Sequence, residues 1–233
     1  MSNLIDYDSL EKELGYSFND RAYLKLALTH SSYAHENMKE TNGEYNERIE
    51  YLGDAVLELI VSDYLYRNYK NSSEGQMTKT RASLVCEYTL ANCAREIKLS
   101  DSILLSNGED MTGGRYRDSI LSDAFESVLG AMYLDGGITP VAAFVKRILL
   151  TDIEHKELFY DAKTSLQEQV QARKGDKLEY VIVAETGPEH SKIFTAEARV
   201  NGKVIGVGEG KTKKSAEQHA AYQALMKMKI VES

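Results

Sequence analysis

Over residues 1–153 apolar side chains return at intervals of three and four, as in "YLKLALTH", "IEYLGDAVLELIVSDYLY", "TKTRASLVCEYTLANCAREI" and "DAFESVLGAMYLD", and this period predicts a nearly all-helical region. The pattern breaks at Gly15, at residues 36–46, 71–76, 106–118 and 135–140. The Gly113-Gly114 pair reads as a sharply turned or mobile loop, and Pro140 suits the first turn of a further helix running to about Ile153. After residue 160 the period changes. "TSLQEQVQARK" is a short helix, whereas "LEYVIVAETG", "KIFTAEARVNG" and "KVIGVGEGK" alternate apolar and polar positions and read as strands. Asn201-Gly202 is a two-residue hairpin signal between the second and third strands. "KKSAEQHAAYQALMKM" returns to helix, giving the order α-β-β-β-α.

These patterns describe a multidomain chain: an all-α domain over residues 1–153, a linker over 154–160, and a small α+β domain over 161–230. The length of 233 residues accommodates two domains, and the 42% hydrophobic content supplies a core for each. There is no apolar run of membrane-spanning length and no basic-then-apolar leader, so a cytoplasmic protein without membrane association is expected. The proline-free, charged stretch around the linker, residues 151–163, reads as a short flexible tether. Cys86 and Cys93 fall seven apart in what reads as one helix, roughly 10 Å along its axis, which excludes a disulfide between them. Free thiols suit a reducing compartment.

Charge divides the chain further. Residues 1–153 hold 15 basic against 24 acidic side chains, whereas residues 161–233 hold 12 against 10. An acidic part is thus joined to a mildly basic one, which suggests two tasks. On a helix at 100° per residue, Glu47, Glu50, Asp54 and Glu58 occupy an arc of roughly 80°, opposite Ile49, Leu52, Val56 and Leu59, the side expected in the core. A solvated face is one explanation of the acids. However, Glu50–Asp54 and Asp54–Glu58 are like-charge i,i+4 pairs, each costing a few tenths of a kcal/mol, which a divalent cation would reverse. A second predicted helix offers Asp123 and Glu126 on a face with Gly130, where a glycine admits close approach of another backbone or a ligand. Two such helices could converge on one all-oxygen site suited to Mg²⁺ or Mn²⁺. The scattered histidines form no competing ligand cluster, and His30, His35 and the two cysteines read as packing or capping residues.

In the C-terminal part, Gln167 and Gln171 lie on the first helix, His190 at the tip of the first β-turn, and Lys211, Lys213 and Lys214 at the start of the last helix. A solubility patch is the plain alternative. Groups at such intervals suit A-form RNA, whose successive minor grooves offer 2′-hydroxyls with phosphates between them. "IGVGEGKT" is not a nucleotide-binding loop, because the first glycine of that pattern would fall on Ile205, and no nucleotide cofactor is expected.

"NERIEYLGDAVLELI" resembles the signature of the ribonuclease III family, and "GGRYRDSILSDAFESVLGAMYLD" resembles that family's second acidic segment. "LTHSSYAHE" is similar to its early helical segment, and residues 161–229 resemble a double-stranded-RNA-binding domain ending in "KKSAEQHAA". The resemblance covers nearly the whole chain, in the order of the simple bacterial form. It implies a Mg²⁺-dependent endoribonuclease (Mn²⁺ substituting) with metal ligands Glu50, Asp54, Asp123 and Glu126. Of these, Asp54 and Glu126 are the catalytic acids, Glu126 the most critical. It implies supporting roles for Glu47 and Glu74 through RNA or dimer contacts, and no functional role for Glu58. It further implies a homodimer contact through Tyr51, which inserts into a pocket of the partner, and RNA contacts through Gln167, Gln171, His190, Lys211, Lys213 and Lys214. The implied reaction is hydrolysis of double-stranded RNA to 5′-phosphate and 3′-hydroxyl ends with short 3′ overhangs, in processing of rRNA precursors and other structured transcripts. A non-cleaving RNA-binding relative would be expected to lack one of the four ligand acids, and a small-nucleotide phosphohydrolase would have no use for the basic domain.

Overall fold

The computed structural model describes residues 5–173, 175–187 and 192–232, the last four of these by their backbone alone. The chain divides into two compact units, residues 1–153 and 154–233. The first is helical: α1 (Tyr7–Leu14), α2 (Arg21–Ala27), α3 (Ser31–Glu36), α4 (Met38–Thr41), α5 (Glu47–Asn68), α6 (Glu74–Leu84), α7 (Glu87–Glu96), α8 (Asn107–Met111), α9 (Asp118–Gly136) and α10 (Ile138–Ile148).

The starts and stops of these helices follow from local chemistry. Asp6 and Asp20 accept from backbone N–H groups in the first turns of α1 and α2, and Ser73 with Gln76 forms a reciprocal capping box on α6. Gly15 ends α1 in the left-handed region at φ +66°. The stretch expected as one helix around Cys86 is two. Thr89 donates its hydroxyl to Ser83 O at 2.8 Å, and Ser83 donates to Thr80 O at 2.7 Å. These side-chain bonds compete with the helical ladder and end α6 at Leu84, leaving Cys86 to cap α7. Both cysteines are free.

Helix α9 runs through the middle of the unit. Leu121, Phe125, Val128, Leu129 and Met132 are fully buried, and so are Ala131 and Ser127 on its other sides. A helix apolar nearly all round is one enclosed by others. Helix α5 crosses it backbone to backbone. A Cβ at Gly53 would lie 1.8 Å from Glu126 O, and one at Gly130 would lie 2.3 Å from Ile49 O. Gly130 therefore admits a backbone, and Gly53 is its counterpart. Ile49 and Val56 on α5 are buried, as their side of the helix predicts. Leu59 is not. It is 57% exposed and shares a stripe with Tyr51 and Tyr66, 79% and 75% exposed, because the α9 contact takes only part of the apolar arc.

The segment over 106–118 is turned. Gly113 sits at φ +78°, and the nearly buried Arg115 donates to both carboxylate oxygens of Asp110 and to Ser100 O and Ile103 O.

Helix α11 (Ile153–Tyr160) starts at the last residue of the first unit, and the second unit holds the rest of it with α12 (Ala162–Gln171), β1 (Leu178–Thr186), β2 (Ile193–Val200), β3 (Lys203–Gly210) and α13 (Lys213–Glu232). The strands form one antiparallel sheet in the order β1-β2-β3. Val200 pairs with Lys203 across Asn201 and Gly202, both at positive φ, which is the expected hairpin. Leu166, Val170, Ala196, Ala198, Ala220, Ala221 and Leu225 form the core between the sheet and α12–α13. The glycines of "VIGVGEG" face α13, and a Cβ at Gly206 or Gly208 would lie 2.2 Å from the backbone of Ala220. The segment 154–160, expected as a flexible linker, is instead part of α11. The Phe159 ring stands edge-on to His219 and Tyr222, and Gln218 donates to the carbonyls of Phe159 and Tyr160. Its charged residues masked an apolar pair, Leu158 and Phe159, that packs on this unit.

Candidate active site

Crossing α5 over α9 at two glycines brings their acids together. Carboxylate oxygens of Glu50, Asp123 and Glu126 all lie within 4.8 Å of one another. Asp54, one turn beyond Glu50 and exposed, lies outside that group, but among the neighbouring charges it acts most strongly on Glu126. Burial pushes the Glu126 carboxyl up to about 8, with Asp54, Glu50 and Asp123 adding to the shift. Burial likewise lifts Glu50 to about 7, reinforced by Asp123 and Glu47. Asp54 and Asp123 are raised as well, mainly by burial, with Glu58 acting on the first and Glu87 and Glu47 on the second. Among the described residues, the charges that act most strongly on these four groups are all acidic. Such a cluster is held ionised most readily by a bound cation. Oxygen-only donors at this spacing fit a hard divalent ion that keeps some of its waters.

The remaining acids separate. Glu47 is exposed at the start of α5, close enough to act on Glu50 and Asp123. Glu58 is half-buried and adds negative charge to Asp54 and Glu126. Glu74 is not at the cluster. It accepts from the Thr78 hydroxyl on α6 and lines a groove of about 300 Å³ with Ser62, Leu65, Tyr66, Met77 and Arg81. Glu87, on α7, was not singled out from the sequence, and its spacing to the other acids gives no signal. Gly53 was also missed, although a glycine inside an otherwise regular helix is a recognisable sign of close approach.

In the second unit Gln167 is half-buried and Gln171 exposed on α12. Lys211, Lys213 and Lys214 are exposed at the start of α13, and the Lys213 ammonium lies 5.9 Å from the centre of the Phe194 ring. His190 lies outside the described residues. Among those described, no helix is long and apolar enough to cross a membrane.

A helical domain with a three-carboxylate centre, followed by an α-β-β-β-α domain with lysines at the start of its last helix, defines a class of protein that acts on nucleic-acid backbones. Residues 20–153 match the family model described as Ribonuclease-III-like, and residues 162–228 match the double-stranded RNA binding motif. The chain is 44% identical to Ribonuclease 3 of Caldanaerobacter subterraneus subsp. tengcongensis over 95% of this chain and 98% of that protein. It is 49% identical to Ribonuclease 3 of Pelotomaculum thermopropionicum over 94% and 91% respectively. Among solved structures, the nuclease domain of ribonuclease III from Campylobacter jejuni is 39% identical with a TM-score of 0.58, covering 62% of this chain and 96% of that one. The chain belongs to the bacterial ribonuclease III family. Its activity is that of a double-strand-specific endoribonuclease.

Proposed function

We propose that Glu50, Asp54, Asp123 and Glu126 hold Mg²⁺, with Mn²⁺ able to replace it, and that double-stranded RNA is hydrolysed there. The observation that carries this reading is the convergence of Glu50, Asp123 and Glu126 within 4.8 Å, where the strongest charges acting on each, among the described residues, are themselves acidic. The bound metal supplies an activated water and polarises the scissile phosphate. The protein's own contribution is to orient the acids. Glu50 and Asp54 project from one rigid helix, Asp123 and Glu126 from another, and the Gly53–Gly130 crossing fixes their separation. Glu126, the most buried acid of the set, serves the reacting phosphate most directly, with Asp54 beside it. Products are 5′-phosphate and 3′-hydroxyl ends.

The functional unit is a homodimer. The exposed stripe of Tyr51, Leu59 and Tyr66 on α5 supports this, with the groove beside Tyr66 as the pocket for the partner's aromatic side chain. The Campylobacter jejuni structure is likewise described for its region involved in dimer formation. Two centres across one duplex give staggered cuts with short 3′ overhangs. The basic surface of α13 and the α12 glutamines supply affinity for the duplex that the acidic unit lacks, and that affinity weakens with salt. Natural substrates are structured transcripts, rRNA precursors among them, in the cytoplasm.

Glu126→Gln tests the centre. Cleavage of a perfect RNA duplex with Mg²⁺ should be abolished while duplex binding by gel shift stays near the parent value. Cleavage that persists in this variant removes Glu126 from the mechanism.

A further inference from the structure

His30 is the N-terminal cap of α3, and its two ring nitrogens have different surroundings. Nδ1 accepts from the Ser32 backbone N–H at 3.2 Å and lies 2.8 Å from Ser32 Oγ. Because Nδ1 accepts from that N–H it carries no proton of its own, so the hydroxyl, which also accepts from Ser106 N–H at 3.1 Å, donates to it. With two donors aimed at Nδ1, the ring carries its proton on Nε2. Burial favours the same neutral state, pushing the imidazole below its ordinary value. The backbone is pinned too. His30 N–H donates to Leu104 O at 3.1 Å, and Thr29 O accepts from Asn46 N–H at 3.0 Å, directly before α5.

Nε2–H makes no hydrogen bond among the described residues, although the ring is only half-buried. The charges acting on the ring are Glu109, Arg117 and Glu47. Glu109 and Arg117 are paired at 2.7 Å, with about half of the Arg117 side chain open to solvent. Glu47 stands at the rim of the acidic centre, where it acts on Glu50 and Asp123. A fixed donor with no hydrogen-bond partner among the described residues therefore stands with a guanidinium within electrostatic reach of Glu47, the acid at the rim of that centre. An RNA strand approaching that centre is repelled except where donors of this kind meet its backbone.

We propose that His30 is a substrate-binding residue, its Nε2–H donating to a backbone phosphate of the RNA strand held at the carboxylate centre, next to Arg117. This rests on the phosphodiester-hydrolysis reading of that centre. The role belongs to Nε2 alone, because Nδ1 is committed to the cap.

Two isosteric replacements separate the nitrogens. Asparagine places its oxygen where Nδ1 stands and keeps the cap without the distal donor, whereas glutamine reaches to Nε2 and abandons the cap. The full-length chain and its His30→Asn and His30→Gln variants are compared by thermal melting and by kcat and KM on a perfect RNA duplex with Mg²⁺. His30→Asn should melt with the parent yet lose roughly 10-fold or more in kcat/KM, mostly through KM, as expected for one hydrogen bond to a charged group. His30→Gln should melt lower yet keep the larger share of kcat/KM. Parent-like kcat/KM in the asparagine variant, or a loss no deeper there than in the glutamine variant, overturns the assignment. Glu126→Gln run alongside tests the centre itself, since its cleavage would dismiss the underlying reading whatever His30 does.

Discussion

Replacing Gly53 with alanine probes the one contact on which the geometry of the acidic centre depends. The added Cβ would stand 1.8 Å from Glu126 O, whereas ordinary contact begins at 3.4 Å, a deficit of 1.6 Å. The obstacle is backbone in the middle of α9, so no side chain can swing aside. The helices must part or rotate by about that distance at the level of Glu50 and Glu126, whose oxygens share a cluster only 4.8 Å across. Misplacing a reacting group by about 1 Å costs on the order of 100-fold in rate, so the single-turnover cleavage rate at saturating enzyme should fall by at least about that factor. Stability should change less. Overpacking costs about 3 kcal/mol and alanine's better helix propensity returns about 1 kcal/mol, leaving a loss of about 2 kcal/mol. In a unit of this size that is roughly 4–8 °C in Tm by circular dichroism. Gly75→Ala is the control. It lies in α6 with nothing within 4 Å, so it should cleave as the parent does and melt no lower. A Gly53→Ala protein that cleaves within a few-fold of the parent would refute the idea that this crossing sets the spacing of the acids.

Two further outcomes follow from the structure. Glu126 and Glu50, raised mainly by burial from an ordinary 4.5 to about 8 and about 7, hold protons in the folded, metal-free protein that the unfolded chain has already released. Their contribution to stability is complete below about pH 4.5 and is lost as pH rises through 7 and 8, with a slope of up to about 1.4 kcal/mol per pH unit for Glu126 and a smaller one for the more solvated Glu50. Melting in EDTA should therefore fall from pH 5 to pH 8, and Mg²⁺ at pH 8 should restore it; a flat profile in EDTA contradicts the account of the centre. In the second unit, a fragment of residues 154–233 should be more stable to urea than one of residues 161–233 by roughly 2 kcal/mol, reflecting two edge-on aromatic contacts of Phe159. Equal midpoints would mean that α11 contributes nothing to that fold.

Much of this protein follows from sequence period and spacing. A 3.6-residue period places Glu50 with Asp54, and Asp123 with Glu126, on one side of their helices, and alternation after residue 160 yields three strands and the Asn201-Gly202 turn. These are local properties, set by backbone geometry within a few residues. Local signals mislead where they compete with distant ones. Apolar period alone joined α6 to α7, because hydroxyl-to-carbonyl bonds at Ser83 and Thr89 carry no period. Charge made residues 154–160 look like a tether, because two apolar side chains in seven positions suffice for one packed turn once α13 offers His219 and Tyr222. Leu59 looked buried because a helix face shows which side is apolar, not how much of it a neighbour covers.

By itself, then, the order of residues determined which acids share a helix face, where the strands run, and that the two halves differ in charge. Only the folded chain decided that Glu50 meets Asp123 and Glu126 while Asp54 stands slightly apart, that Glu87 adds its charge, and that His30 keeps one nitrogen for the cap and leaves the other unused. Side-chain direction along a helix is a matter of 100° steps, but the distance between two helices is set by what lies between their backbones. Here that is two glycines 77 positions apart, whose partnership no local pattern records.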